Sequence, residues 1–146
     1  MKNIRKATKE DLGRIAEIFV FNYRVNFYPI FKNDEYYYKD MTVLGIIEEF
    51  MPFLPDLFVY DDGIIKGFIH IKENEVHKLF VEPLYQSSGI GGKLLEFAKE
   101  SFKTNFLWAL EKNTRAISFY ERHGFHKTEE KKLEEDTPEY LIKLEI

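Results

Sequence analysis

Residues 81–95 run from an apolar strand through a glycine-rich turn into an amphipathic helix: Val81-Glu-Pro-Leu-Tyr-Gln-Ser-Ser-Gly-Ile-Gly-Gly-Lys-Leu-Leu95. Gly89, Gly91 and Gly92 lack β-carbons, so their backbone N–H groups can converge on an anion that also faces the positive end of the following helix. The chemistry such a turn supports is recognition of a phosphorylated ligand. Spacing discriminates among three glycine motifs that compete for these residues. A Walker A loop needs glycine where Ser87 stands and Ser or Thr where Leu94 stands, so the magnesium-holding hydroxyl is missing. A dinucleotide fingerprint needs Gly or Ala at Leu94 and an acidic ribose-binding residue further on, and neither is suitably placed. What fits is Gln86-Ser-Ser-Gly89-Ile-Gly91, a Q/R-x-x-G-x-G/A pattern, although a glycine-rich helix entry that holds no ligand fits the same residues.

A second block lies downstream: Leu107-Trp-Ala-Leu-Glu-Lys-Asn113-Thr-Arg-Ala-Ile-Ser-Phe-Tyr120-Glu-Arg-His-Gly124-Phe125. Alone, Tyr120 beside Ala116 and Ile117 reads as core packing. With both blocks in this order the chain resembles the GCN5-related N-acetyltransferase (GNAT) family, whose glycine loop holds the pyrophosphate of coenzyme A. The resemblance covers essentially the whole chain, with specific motifs only over residues 75 to 125. It implies a mixed, mainly antiparallel α/β (α+β) fold: a six- to seven-stranded sheet flanked by four helices, with central strands that splay to admit the pantetheine arm. It also implies acetyl-coenzyme A as cosubstrate. By the same resemblance, Leu79, Phe80, Val81, Gln86, Ser87, Ser88, Gly89, Ile90, Gly91, Gly92, Asn113 and Tyr120 touch the coenzyme. Leu79 offers its backbone N–H to the oxyanion, and Tyr120 protonates the departing sulfur.

Acetyl transfer to an amine needs a neutral nitrogen, a held thioester, a stabilised oxyanion and a proton for the leaving thiolate. An alkylamine has a pKa near ~10.4, so on the order of one molecule in a thousand is free base at neutral pH, and a proton acceptor is worth seeking. Glu75 lies eleven residues before Gln86, and its place resembles the glutamate base of histone-type members. His77 is the second candidate, because period-two alternation puts it on the same strand face. An ordered-water relay without a single base is the third. The alternative position for a glutamate, on the strand before the asparagine, is Trp108. Tyr23, Phe27 and Tyr28 fall where the resembling family builds its acceptor wall; ordinary packing accounts for at least half of the aromatic residues of that region. The acceptor is a primary amine of unspecified identity, small-molecule or peptide. The alternative function is an acyl-coenzyme A-binding or regulatory domain without useful turnover.

These residues need elements to position them. Ile4–Ala7 reads as a first strand, and Thr8-Lys-Glu-Asp11 caps a helix with apolar positions Leu12, Ile15, Ala16 and Phe19, ending near Val25. Pro29 interrupts the next stretch, and a second helix falls within residues 35–50, before Pro52 and Pro55. Asp61-Asp62-Gly63 and Glu73-Asn74 are reversals between strands 57–60, 64–71 and 75–81. The glycine turn, a helix through Phe102 and a strand at 105–110 form a crossover that makes the neighbouring strands parallel. A helix 114–123, capped by Gly124, and a hairpin of 125–133 with 139–144 complete the chain.

The 146 residues suggest one domain, 1–146, with 45% hydrophobic residues enough for one sizeable core. Apolar runs fall far short of the roughly 20 residues of a membrane span, and Met1-Lys2-Asn3 leads into no signal-peptide core; a soluble cytoplasmic protein without membrane partners is expected. No cysteine is present, which excludes disulfides and covalent acyl-cysteine chemistry. The net charge of −4 argues against nucleic-acid binding. His123 and His126 lack a completing ligand set, so no metal is expected. The terminal hairpin and the aromatic surface make a homodimer an open expectation.

Overall fold

The computed structural model describes residues 2–146, with Met1 outside the described residues. Seven strands form a single mixed sheet in the order β1-β2-β3-β4-β5-β7-β6. They are β1 (Ile4–Lys6), β2 (Leu57–Asp61), β3 (Ile65–Lys72), β4 (Glu75–Val81), β5 (Phe106–Leu110), β6 (His126–Leu133) and β7 (Tyr140–Glu145). Every neighbouring pair is antiparallel except β4 with β5, which the crossover makes parallel. The helices are α1 (Leu12–Asn22), the one-turn α2 (Tyr28–Phe31), α3 (Val43–Phe50), α4 (Ile90–Phe102) and α5 (Thr114–Arg122).

Alternation along β3 divides the interior. Phe68 faces α1 and α3, joining Ile15, Phe19, Phe50 and Val59 in one apolar cluster. Its neighbour Ile69 faces α4 and α5, joining Leu94, Leu95, Leu107, Ile117 and Phe125 in the other. The sheet is thus covered on both faces at β3, whose residues from Gly67 to Ile71 are all buried.

One stretch differs from the sequence pattern. The helix expected to end near Val25 runs on through a π-turn at Tyr23–Phe27 into α2, and Pro29 sits within the first turn of α2. The Tyr28 N–H donates to the Tyr23 carbonyl, five residues back. That wider turn accommodates a proline, which has no N–H to give and crowds a normal helical turn. Lys32 then ends the segment in the left-handed region, φ 52°.

Candidate active site

The parallel pair β4/β5 is joined only at Glu75–Phe106 and Val76–Leu107, with the Asn105 N–H donating to the Asn74 carbonyl at 2.8 Å. Beyond Val76 the strands separate, while β5 stays paired with β7 along its length. Next to the parting, β4 carries one residue more than β3: His70 pairs with Lys78 and Ile71 with Val76, leaving His77 as the extra residue of a bulge. Two consecutive side chains consequently face α1 and α3. The His77 ring lies 4.9 Å from the His70 ring, and Lys78 Nζ lies 5.7 Å from the centre of the Phe50 ring. The parting opens into a cleft of about 1620 Å³ lined by both halves of the site.

The direction of the β4 backbone follows from the ladder. The Glu82 N–H donates to the Lys66 carbonyl at 2.8 Å, and antiparallel pairs alternate between bonded and non-bonded, so Phe80 is bonded to Phe68. Leu79 and Val81, opposite Ile69 and Gly67, therefore turn their N–H and C=O groups away from β3 and into the notch. The Val81 carbonyl is already engaged: it accepts from Asn22 Nδ2 at 2.8 Å and from Gln86 Nε2 at 3.1 Å. The Val81 main chain thus has only its N–H left for a ligand. Phe80 packs its ring among Phe19, Tyr23 and Phe68.

The glycine turn has the conformation its residues permit. Ser87 and Gly89 are left-handed at φ 66° and 89°, and α4 begins at Ile90. Lys93 is the first residue whose N–H meets a helical carbonyl, that of Gly89 at 3.1 Å. The Ile90, Gly91 and Gly92 amides are left open, as at any helix start. Gly92 has a second reason to be glycine: a β-carbon there would lie 2.9 Å from His123 Cε1, so its absence lets α5 pack onto α4. The Ser88 hydroxyl donates to the Tyr85 carbonyl and the Ile90 side chain is buried, so these two can offer a ligand only their backbones.

Gln86 lines the cleft, and its side chain is tied into the protein. Its Nε2 ties the loop to Asn22 Oδ1 at 2.9 Å as well as to Val81. Asn22, 2% exposed, also donates to the Ile18 carbonyl at 2.8 Å, which makes it the clamp joining α1, the end of β4 and the turn. The sequence reading missed it. The signal was its spacing: Leu12, Ile15, Phe19 and Asn22 form one helical stripe, so a lone amide stands on the buried face of α1.

Asn113 caps α5, its Oδ1 accepting the Ala116 N–H at 3.2 Å, and it lines the cleft. Its amide NH₂ is left for a ligand. Tyr120 lines the same cleft from α5, against Phe119 and Phe125. Burial pushes its phenol up to about 12, so it holds its proton at neutral pH.

On the other side, Glu75 Oε2 lies 3.5 Å from His77 Nδ1, and both line the cleft. Burial, with help from Lys78, holds the His77 imidazole below its usual range in spite of Glu75. Tyr23 and Phe27 also line the cleft, their rings 4.3 Å apart, and Tyr23 is pushed up by burial. Tyr28 does not reach it: its ring packs on Tyr37 and Tyr38, and its hydroxyl donates to Asp34. Glu49 from α3 and Glu134 from the β6–β7 turn complete this wall. Among the described residues no His, Asp and Glu side chains gather as a metal would require, and no helix is long and apolar enough to cross a membrane.

Residues 55–127 match the family model described as acetyltransferase (GNAT) domain. An uncharacterized N-acetyltransferase of Archaeoglobus fulgidus is 30% identical over 144 residues, covering 86% of this chain and 94% of that protein. The peptidyl-lysine N-acetyltransferase YiaC of Escherichia coli is 27% identical over 124 residues, covering 84% and 82%. The solved structure of YncA from Salmonella typhimurium with its cofactor acetyl-CoA superposes with a TM-score of 0.67 at 17% identity, covering 98% and 91%. The chain belongs to the GNAT family and is an N-acetyltransferase.

Proposed function

We propose that the protein transfers the acetyl group of acetyl-coenzyme A directly to a primary amine while both substrates occupy the cleft. The observation that carries this reading is the parting of β4 from β5, which leaves the Leu79 N–H facing the notch beside an open helix start. In this reading the Ser87–Gly92 amides hold the pyrophosphate and the Asn113 amide fixes the coenzyme arm. The Leu79 N–H meets the carbonyl oxygen as it becomes an oxyanion. Glu75, steadied by His77, takes the proton from the acceptor ammonium. His77, neutral because of its burial, passes that proton to solvent. The amine then attacks the thioester carbon, the C–S bond breaks, the Tyr120 phenol donates its hydrogen bond or proton to the sulfur, and the nitrogen loses its second proton to solvent.

The acceptor enters over Tyr23 and Phe27, between Glu49, Glu75 and Glu134, a wall suited to a cation. The likeness to YiaC, which is named for peptidyl-lysine acetylation, supports trying lysine side chains first. The test has two stages. Acetyl-coenzyme A at 100 times its Kd should stabilise the fold by about 2.7 kcal/mol, and free thiol should then appear over a panel of lysine peptides, polyamines, amino sugars and amino acids. Stabilisation with no thiol from any amine would leave a coenzyme-binding domain without turnover. No stabilisation would remove the coenzyme itself.

A further inference from the structure

The acceptor half of the cleft holds a lysine that this mechanism leaves unused. Lys78 stands between His77 and Leu79, half-buried, and the bulge turns it toward α1 and α3 with Nζ over Phe50. Lys66, Lys99, Lys112, Lys131 and Lys143 each hold a carboxylate. Lys78 has no ion pair or hydrogen bond among the described residues, although it lines the cleft. Burial lowers its pKa. Lys72 at the end of β3 adds to this, while Glu49 on α3, Glu75 on β4 and Glu134 in the β6–β7 turn oppose it without reversing it. A desolvated amine with no fixed counter-ion is a better nucleophile reservoir than a surface lysine, because more of it is neutral.

Its position gives that amine a target. Lys78 precedes the residue whose N–H faces the notch, and the flexible four-carbon stem of a lysine lets Nζ swing from the Phe50 ring toward the parting. Resting on the coenzyme reading above, we propose that Lys78 is a self-acetylation site, taking the acetyl group from acetyl-coenzyme A when no external amine fills the acceptor half. The ammonium gives one proton to Glu75, and the neutral nitrogen forms a C–N bond to the thioester carbon. The C–S bond breaks, the sulfur leaves as thiolate and is protonated, and the tetrahedral nitrogen loses its second proton to solvent. The product is an uncharged amide and free coenzyme A. It removes a positive charge from a wall that carries Glu49, Glu75 and Glu134.

The test is intact-mass measurement and peptide mapping of the wild-type chain incubated with acetyl-coenzyme A and no amine. The expected result is one acetyl group per chain, on Lys78, at a rate that saturates with acetyl-coenzyme A and does not depend on protein concentration. The urea-unfolded chain should show no preference for Lys78. Lys78→Arg should lose the modification while acetyl-coenzyme A still raises its Tm, and because the mapping uses wild-type protein it stands even if this variant fails to fold. Label absent from Lys78, or spread evenly over exposed lysines while acetyl-coenzyme A stabilises the fold, would overturn the proposal. A wild-type chain that acetyl-coenzyme A does not stabilise fails at the coenzyme step and overturns both readings.

Discussion

The two halves of the cleft are built from different materials. The half proposed for the coenzyme is mostly main chain: the turned-out Leu79 and Val81 amides, the left-handed Ser87 and Gly89, and the open start of α4. The half proposed for the acceptor is mostly side chain, with Tyr23, Phe27, Glu49, Glu75, His77 and Glu134 drawn from separate stretches of sequence. A main-chain site tolerates change in its side chains and depends on conformation. A side-chain site can be rewritten residue by residue, so the reaction can stay fixed while the acceptor changes.

The largest expected effect breaks that division at an exception, the phenol of Tyr120. Tyr120→Phe should lower kcat by about 10²–10⁴-fold with little change in acetyl-coenzyme A affinity, read by steady-state kinetics and calorimetry. Full turnover in that variant would remove Tyr120 from the chemistry. Next, Asn22→Ala takes away the clamp beneath the main-chain half and should destabilise the fold by about 1–3 kcal/mol, read from urea midpoints. Acetyl-coenzyme A should also bind more weakly, although Asn22 is not assigned a ligand contact. An unchanged Kd would show that the turn holds its shape without the clamp.

A smaller effect probes the ground beneath the acceptor half. His70 is 2% exposed, stacked on Phe53 at 5.0 Å, with Nδ1 unpartnered. Burial lowers its pKa to about 4, with His77, Lys78 and Lys72 contributing. The unfolded chain takes up a proton near ~6.5, so between these values it binds more protons than the fold, and stability falls as pH falls. From about pH 7.5 to about pH 5 the His70 share of the loss should be about 2 kcal/mol, measured as the difference in urea-midpoint shift between the wild type and His70→Phe, because His77, also held low by burial, adds to the slope in both proteins. His70→Phe should flatten that slope, and an equal slope in both proteins would locate the titration elsewhere.

How far each half was legible in the sequence tracks the same division. Gly89 announces a left-handed backbone that side-chain-bearing residues rarely adopt, and Gly91 and Gly92 leave room for Phe119 and His123 to approach α4, so the turn and the helix after it could be read directly, and the strand reversals at Asp61-Asp62-Gly63 and Glu73-Asn74 likewise. The bulge left no such mark. His77 is neither glycine nor proline, and its extra place appears only when β3 is laid beside β4. Strict alternation puts Glu75 and His77 on one face, where the structure has them, but it would turn Lys78 to the other, and the bulge keeps Lys78 on theirs. Tyr28 illustrates the converse: its type suited an acceptor wall, and only the π-turn and α2 show that its ring points to Tyr37 and Tyr38 instead. Glu134 lies far along the chain from Tyr23 and Glu49, and only the return of β7 beside β5 carries the hairpin turn to them.

The clamp at Asn22 has a thermodynamic corollary. Asn22 and Tyr23 are consecutive, one bonded to the turn through Gln86 and the other lining the opposite compartment. An amine that displaces the end of α1 must therefore strain the loop behind it, and linkage makes the influence reciprocal: whatever factor the first ligand imposes on the second is returned in full. Calorimetric titration of either ligand in the presence of the other reads that factor, and Asn22→Ala should bring it toward unity.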